Sequence, residues 1–401
     1  MRAATDVRTV AVAGVEFGWG SSGKLSAVLS ALRDRGGGKL RFIGLASGLG
    51  RPVLAAQPVR RWFDLPEGGS GEELGRIVRA QRVRAALVVL DGGLAKALRA
   101  HGVPVVFVDG PPFLWTEGDR PDLPLDTEVY CAQRCVELPS EGAGVLADAR
   151  RLRWVDAVIA DGGVTRAAAP TRHPRRALIS LGGLRAPRLT DWAGYPRIVL
   201  PAALEALTAS GVTEVHIAGN LPAWLAAQLI DSCVHPAVTT VGALPHEDFL
   251  RRLAECDVLL TSPGLTTLLE AGRLGTPTLC LPPQNLSQVF NGRFHSQALG
   301  TDVRTPWPST VFAEDEALAL SAHGEGRALD LIYDGIARAA DLDRRRTATA
   351  VRESLVEKLK HLAGEPGIDW TALTTAVGTG GAAQVADALV ELLGAAAPAR
   401  R

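Results

Sequence analysis

The sequence predicts an α/β protein built from two doubly wound parallel sheets that face each other across a cleft, with helices at the C-terminal end. Three observations carry that expectation. Apolar runs of strand length alternate with helix-length segments, a Pro- and Arg-rich stretch at 164–176 (VTRAAAPTRHPRR) interrupts them, and the same alternation then restarts. Strand and helix in strict turn build a parallel sheet covered on both faces, because each crossover helix must lie on one face of the sheet. The expected domains are 1–170, 171–335 and a helical segment over 336–401.

The elements follow in order. TVAVAGV (9–15) reads as a buried strand and LSAVLSALRDR (25–35) as the helix after it. RFIGLA (41–46), ALVVLDG (86–92) and PVVFVDG (104–110) are further strands, and WVDAVIADG (154–162) is the last of the first domain. Between them EELGRIVRAQ and GLAKALRAHG carry helical apolar spacing with Gly near their ends. After the linker come ALISLGG (177–183), a helix near 200–210, VHIAGN (215–220), TTVGAL, DVLLTSPG (257–264) and TPTLCLPP (276–283). From about 336 the chain reads as helical, through ATAVRESLVEKLKHLAG and AAQVADALVELLG.

Composition narrows the classes of function. With 401 residues, 47% hydrophobic and 21% charged, the chain has material for two cores and is not a disordered polymer. Lys plus Arg and Asp plus Glu both number 43, so no overall basic surplus speaks for nucleic-acid binding. Five cysteines are an odd number for a disulfide framework, and a reducing cytoplasm is the expected compartment. The x3 spacing of Cys131 and Cys135 lacks a second ligand pair for zinc, and the eight His show no HExxH pattern. The opening run MRAATDVRTVAVAGVEFG suits a strand rather than a secretion-signal core, and no stretch reaches the roughly 20 apolar residues of a membrane span.

Ligands of such sheets bind beyond the carboxyl ends of the strands, where helix N-termini offer N–H groups. In the first domain those ends hold Glu16, the loop from Gly18 to Lys24, Asp91 and Asp109. Gly18, four residues, Gly23 and Lys24 fit the phosphate-cradling G-x-x-x-x-G-K, but Leu25 stands where Ser or Thr would hold magnesium. In the second domain the ends hold Gly182 and Gly183, Asn220, the stretch from Ser262 to Thr267, and PPQNLSQVFN at 282–291. A strand ending at Ser262, a turn at Gly264 and a helix capped by Thr266 and Thr267 make a seat for a diphosphate, and Glu270 can accept from ribose hydroxyls. The same residues also suit a helix that is merely capped.

The pattern G-x-T-T-x-x-E-A-x-x-x-G-x-P followed by Q-N-x-x-Q-x-x-N resembles the donor-binding half of two-Rossmann (GT-B) glycosyltransferases. The lipid II-forming N-acetylglucosaminyltransferase and the macrolide and flavonoid glycosyltransferases share it. The resemblance covers roughly 177–300. It implies a nucleotide-sugar donor, with Gly264, Thr266 and Thr267 on the diphosphate, Glu270 on the ribose, and Gln284, Asn285 and Gln288 near the sugar. SLGG at 180–183 is similar to the glycine turn opening that domain, which implies Gly182 and Gly183 near phosphate; Arg185, just after the turn, is by its charge a candidate to meet the diphosphate.

The first domain, with VAGVEFGWGSSGKLSAVLSAL and GLGRPVL, looks like the cytosylglucuronate and hydroxymethylcytosylglucuronate synthases of peptidyl-nucleoside antibiotic biosynthesis. That resemblance implies transfer of glucuronic acid from UDP-glucuronate to a cytosine, with inversion and without an obligatory metal. The proton on cytosine N1 needs a base; Glu16 is the first candidate and Asp109 the second. Macrolide-type enzymes often place a His near this point, where this chain has Glu16. Lys24, at an expected helix start, offers charge to the diphosphate or the glucuronate. Phe17, Gly18, Trp19 and Gly20 line the acceptor side, and Trp19, Phe113 and Trp115 are candidates to stack on a pyrimidine. The loop then faces the donor across the cleft. Rival readings remain: a P-loop kinase or ATPase, a UDP-sugar epimerase, hydrolase or transferase to another acceptor, and a non-catalytic nucleotide-sugar sensor.

Overall fold

A computed structural model of the chain describes residues 7–35, 40–65, 71–160, 162–166, 171, 173–186, 188–322, 324–365 and 367–395. The first six residues of the opening run and residues 167–170 and 172 of the expected linker lie outside the described residues. Two units divide the chain: unit 1 is residues 1–161 with 377–401, and unit 2 is residues 162–376.

Unit 1 holds seven strands, β1 (Arg8–Gly14), β2 (Leu40–Leu45), β3 (Val59–Phe63), β4 (Val83–Val89), β5 (Val105–Asp109), β6 (Val129–Gln133) and β7 (Leu152–Val155). All pairings are parallel, in the order β3-β2-β1-β4-β5-β6-β7. Its connecting helices are α1 (Gly20–Asp34), α2 (Gly71–Gln81), α3 (Gly92–Ala100) and α4 (Ser140–Ala147). The period-two pattern of β1 divides the core: Val10 and Val12 join Leu25, Val28 and Leu29 of α1 on one face. Ala11 and Ala13 join Leu74, Ile77 and Leu98 of α2 and α3 on the other.

Two strands of unit 1, β3 and β6, lie outside the expected set. β3, VRRWF, lies at the sheet edge with Arg60 and Arg61 exposed, so it has no continuous apolar run to find. β6, VYCAQ, is buried at every position, but it is short and ends on a glutamine. The strand expected over 154–162 stops at Val155. Beyond it the Ala157 N–H donates to Gly378 O at 3.2 Å and its carbonyl accepts from the Gly381 N–H, so the backbone pairs with the C-terminal segment instead of a strand.

Unit 2 holds five strands, β8 (Arg176–Gly182), β9 (Glu214–Gly219), β10 (Ala237–Gly242), β11 (Val258–Thr261) and β12 (Thr278–Cys280). They too pair in parallel, in the order β10-β9-β8-β11-β12, and all five were legible as apolar runs. Around them run α5 (Gly194–Ala209), α6 (Ala223–Asp231), α7 (His246–Glu255), α8 (Leu265–Leu274), α9 (Leu286–Leu299), α10 (Glu314–Ser321), α11 (Glu325–Leu342), α12 (Arg344–Gly364) and α13 (Ala372–Val377). The Thr374 hydroxyl of α13 donates to Leu269 O at 2.8 Å and fills the space above Gly272, where any Cβ would collide with it.

The helices expected as one C-terminal segment over 336–401 are shared out. Position 336 falls inside α11, and α11 to α13 build unit 2 up to Ala376. The last helix, α14 (Gly381–Ala395), belongs to unit 1, where Ala382, Val385, Ala386, Leu389 and Leu393 enter the same cluster as Val10 and Leu25. Gly381 is required at its first position: a Cβ there would lie 2.1 Å from Asp156 O. No described helix is long and apolar enough to cross a membrane.

Candidate functional site

An open parallel sheet leaves a crevice where its winding reverses, at the carboxyl ends of the two central strands. In unit 2 those strands are β8 and β11, which pair directly. β8 ends in a left-handed turn, with Gly182 at φ +66 and Leu184 at φ +56. Asn220 holds that turn, its backbone N–H donating to Gly182 O at 3.0 Å and its side-chain amide to Gly183 O at 3.2 Å. Gly183 is buried, while Arg185 is exposed and lies over the Trp192 ring, 5.3 Å from its centroid.

At the end of β11 the chain turns through Ser262 and Pro263 into α8. The expected caps are displaced: Gly264 is the N-cap, with no side-chain capping bond, and Thr266 (buried) and Thr267 (half-buried) occupy the second and third helical positions. The first turn therefore presents backbone N–H groups and the positive end of the helix dipole at the switch point, an arrangement suited to an anion. Glu270, one turn further, is buried, and its Oε1 lies 2.6 Å from Nε2 of His246, the first residue of α7.

The polar loop after β12 is tied to the same turn. Gln284 donates through Nε2 to Leu181 O at 3.1 Å and to Ser262 Oγ at 2.8 Å. Asn285 caps α9, its Oδ1 accepting from the Gln288 N–H at 3.1 Å and from the Ser287 hydroxyl at 2.8 Å. Gln288 Oε1 accepts from the Gln284 N–H, and Asn291 donates to Pro263 O. Tyr195 completes the network, donating to Pro282 O at 2.8 Å and meeting Ser262 Oγ at 3.0 Å. Burial raises the Tyr195 phenol well above its ordinary value, so it remains a neutral donor. Ser262 and Gln284 thus fix the shape of the turn, and Asn285 Nδ2 keeps no protein partner among the described residues.

In unit 1 the switch point lies between β1 and β4. The β1–α1 turn holds Glu16, exposed, with Oε1 accepting from the Gly48 N–H at 2.7 Å. The residues supplying that N–H are set by a left-handed pair, Ala46 and Ser47, and Ser47 Oγ bridges back to Gly14. Phe17, Gly18 and Trp19 are half-buried; the Trp19 indole donates to Leu49 O at 2.9 Å, which ties its polar edge to the loop. Beside Glu16, Asp91 caps α3 through Leu94 N. Burial, together with the charge of Glu16, holds the Asp91 carboxyl above its ordinary value against that N–H bond.

The structure departs from two expectations about α1. The helix begins at Gly20, so Gly23 and Lys24 lie inside it and do not form a phosphate loop. Lys24 points inward at 3% exposure, donates to Gln133 Oε1, and runs alongside Gly110. It does not offer its charge at a helix start.

Asp109 is likewise enclosed, at 0% exposure, with Oδ2 accepting from Trp115 Nε1 at 2.7 Å and Tyr130 OH at 2.9 Å. Oδ1 has no partner among the described residues. Phe113 is buried and Trp115 half-buried, so these aromatics build the interior of unit 1. Burial pushes the Asp109 carboxyl from its ordinary 3.8 to about 6, against the opposing pull of Trp115, Tyr130 and Lys24. The folded group holds its proton where the unfolded one has released it. Its stabilising contribution is therefore complete below about pH 3.8 and is lost as the pH rises through about 6. The stability gap between wild type and Asp109→Asn is expected to change over this range by on the order of 2–3 kcal/mol, in favour of the variant at higher pH. Urea unfolding of both proteins from pH 4 to 7 measures it, and a constant gap would exclude the titration of Asp109.

His246, Tyr195 and Gln133 were not among the sequence candidates. Each acts on a residue far along the chain, His246 on Glu270 and Gln133 on Lys24. The one local signal was a glutamine closing the otherwise apolar β6.

No family model matches the chain, and no curated protein matches its sequence. Solved structures match it in fold. A Listeria monocytogenes protein assigned as a UDP-N-acetylglucosamine 2-epimerase aligns with a TM-score of 0.54 at 12% identity, over 97% of this chain and 96% of its own. S. aureus MnaA, solved with UDP, gives 0.52 at 12% identity over 94% of each chain. A Polygonum tinctorium UDP-glucosyltransferase capable of glucosylating indoxyl gives 0.52 at 12% identity, over 96% of this chain and 98% of its own. At such identities the likeness shows the fold, which is α/β of the GT-B type.

Proposed function

We propose that this chain is an inverting glycosyltransferase that moves glucuronic acid from UDP-glucuronate to N1 of cytosine or 5-hydroxymethylcytosine. The observation that supports a nucleotide-sugar donor most strongly is the switch point of unit 2, where a glycine turn, a helix start with no side-chain cap and a buried carboxylate converge. Backbone N–H groups at the start of α8 suit the diphosphate, and their positive dipole end favours the charge that builds on departing UDP. Glu270 suits the ribose hydroxyls. Exposed Arg185 suits the glucuronate carboxylate better than the enclosed Lys24 does.

In the reaction the lone pair of N1 attacks the anomeric carbon as the bond to the phosphate oxygen breaks, and that electron pair leaves with UDP. The N1 proton passes to a carboxylate. Glu16 fits this task because it is exposed, with one oxygen steadied by Gly48 N–H and no hydrogen bond on Oε2 among the described residues. Direct displacement inverts the α-linked donor to a β-linked nucleoside. The sugar and the base rest on the resemblance of residues 12–32 and 48–54 to cytosylglucuronate synthases.

Incubation with UDP-glucuronate, UDP-glucose or UDP-N-acetylglucosamine, each with cytosine, 5-hydroxymethylcytosine or no acceptor, tests this by mass analysis. Cytosylglucuronate and UDP in equal amounts are expected. Consumption of another UDP-sugar alone rejects the donor, UDP release without a base indicates a hydrolase, and interconversion of UDP-sugars indicates an epimerase.

A further inference from the structure

His246 follows Pro245 and opens α7, while Glu270 lies in the second turn of α8. The two helices pack together, and the His246 and Glu270 side chains meet inside unit 2 at 6% and 2% exposure. A nitrogen and a carboxylate oxygen 2.6 Å apart are joined by a hydrogen bond, so Nε2 and Oε1 hold each other in place. Oε2 of Glu270 takes no hydrogen bond among the described residues.

A glutamate side chain has three torsions, and burial alone does not choose among its rotamers. A short hydrogen bond does, because breaking it would leave both groups buried without partners. The contact therefore sets the direction in which the other oxygen points.

We propose that His246 is a positioning residue for the donor nucleotide: by holding Glu270 Oε1 it presents Oε2 to the ribose hydroxyls and makes the site selective for ribose over deoxyribose. This rests on the reading of unit 2 as a nucleotide-sugar site. It adds a specificity-determining residue from outside the β8–β11 switch point, supplied by the segment that follows the edge strand β10.

Calorimetric titration of UDP, 2′-deoxy-UDP and 3′-deoxy-UDP into wild type, His246→Leu, His246→Gln and Glu270→Gln separates the possibilities. Wild type is expected to prefer UDP by about tenfold or more over at least one deoxy analogue, the scale of one hydrogen bond to a charged group. His246→Leu is expected to bind UDP as weakly as wild type binds that analogue, with affinity for the analogue itself unchanged. His246→Gln, whose amide can donate to Glu270, is expected to keep most of the preference.

Retention of the full preference in His246→Leu would overturn the proposal, as would an equal loss for UDP and its analogues, which marks a merely structural role. UDP binding without ribose preference in wild type would overturn the role of Glu270 and of His246 while leaving the nucleotide site standing. Absence of UDP binding would overturn the nucleotide-sugar reading itself. Thermal unfolding of each variant shows whether a loss of binding is a loss of fold.

Discussion

Deletion of residues 377–401 is expected to unfold unit 1 while unit 2 stays folded. α14 contributes Ala382, Val385, Ala386, Ala388, Leu389 and Leu393 to the cluster that covers one face of the seven-stranded sheet. Without it, Leu87, Val106, Val129 and Val155 of β4 to β7 lose their cover, and the bonds that Gly378 and Gly381 make to Ala157 are gone. Large-to-small changes in a core cost about 2–5 kcal/mol for a single leucine, and a whole domain is stable by only about 5–15 kcal/mol. Losing two leucines, a valine and three alanines at once, with the helix that carries them, is a loss on the scale of that whole margin.

Hydrogen exchange distinguishes the two units. In the truncated protein the amides of β1, β4 and β5 are expected to exchange freely and those of β8, β9 and β11 to stay protected. Persistent protection in β1 would refute the assignment of α14 to the unit 1 core. The point variant Leu389→Ala should lower unit 1 stability by about 2–5 kcal/mol without touching unit 2.

Glu16→Gln is expected to reduce turnover at least about a hundredfold, the common effect of losing a general base. The amide keeps an oxygen that can accept from Gly48 N–H, so the turn should keep its shape. What it loses is the ability to take the N1 proton. The KM for UDP-glucuronate and the thermal unfolding profile should therefore stay close to wild type while kcat falls. Turnover within a few-fold of wild type would remove Glu16 from this role.

The fold was readable because its signal is periodic. Runs such as ALISLGG and DVLLTSPG show their strands without help, and their Gly residues mark the turns into the site. What stayed hidden depends on partners remote in sequence. Lys24 reads as a cation at a helix start in GSSGKLS, and only the fold brings Gln133 to its ammonium. Asp109 reads as a strand-end carboxylate like Glu16, yet one is enclosed by Trp115 and Tyr130 and the other is exposed. Thr266 and Thr267 have cap chemistry, but the turn at Pro263 places Gly264 at the cap and moves both inside α8. Helix ends are set by the turn that enters them, which composition does not encode.

The return of the chain to unit 1 also fixes an order of events during synthesis. Unit 2 is one unbroken segment and can fold as soon as it has left the ribosome. Unit 1 cannot: its first 161 residues must wait until all of unit 2 has been made before α14 reaches them. At about 5–20 residues per second that delay lasts from roughly ten seconds to most of a minute, with the α14-facing side of the sheet bare. The later half of this protein matures before the earlier half, and the nascent N-terminal segment is where chaperones would be needed.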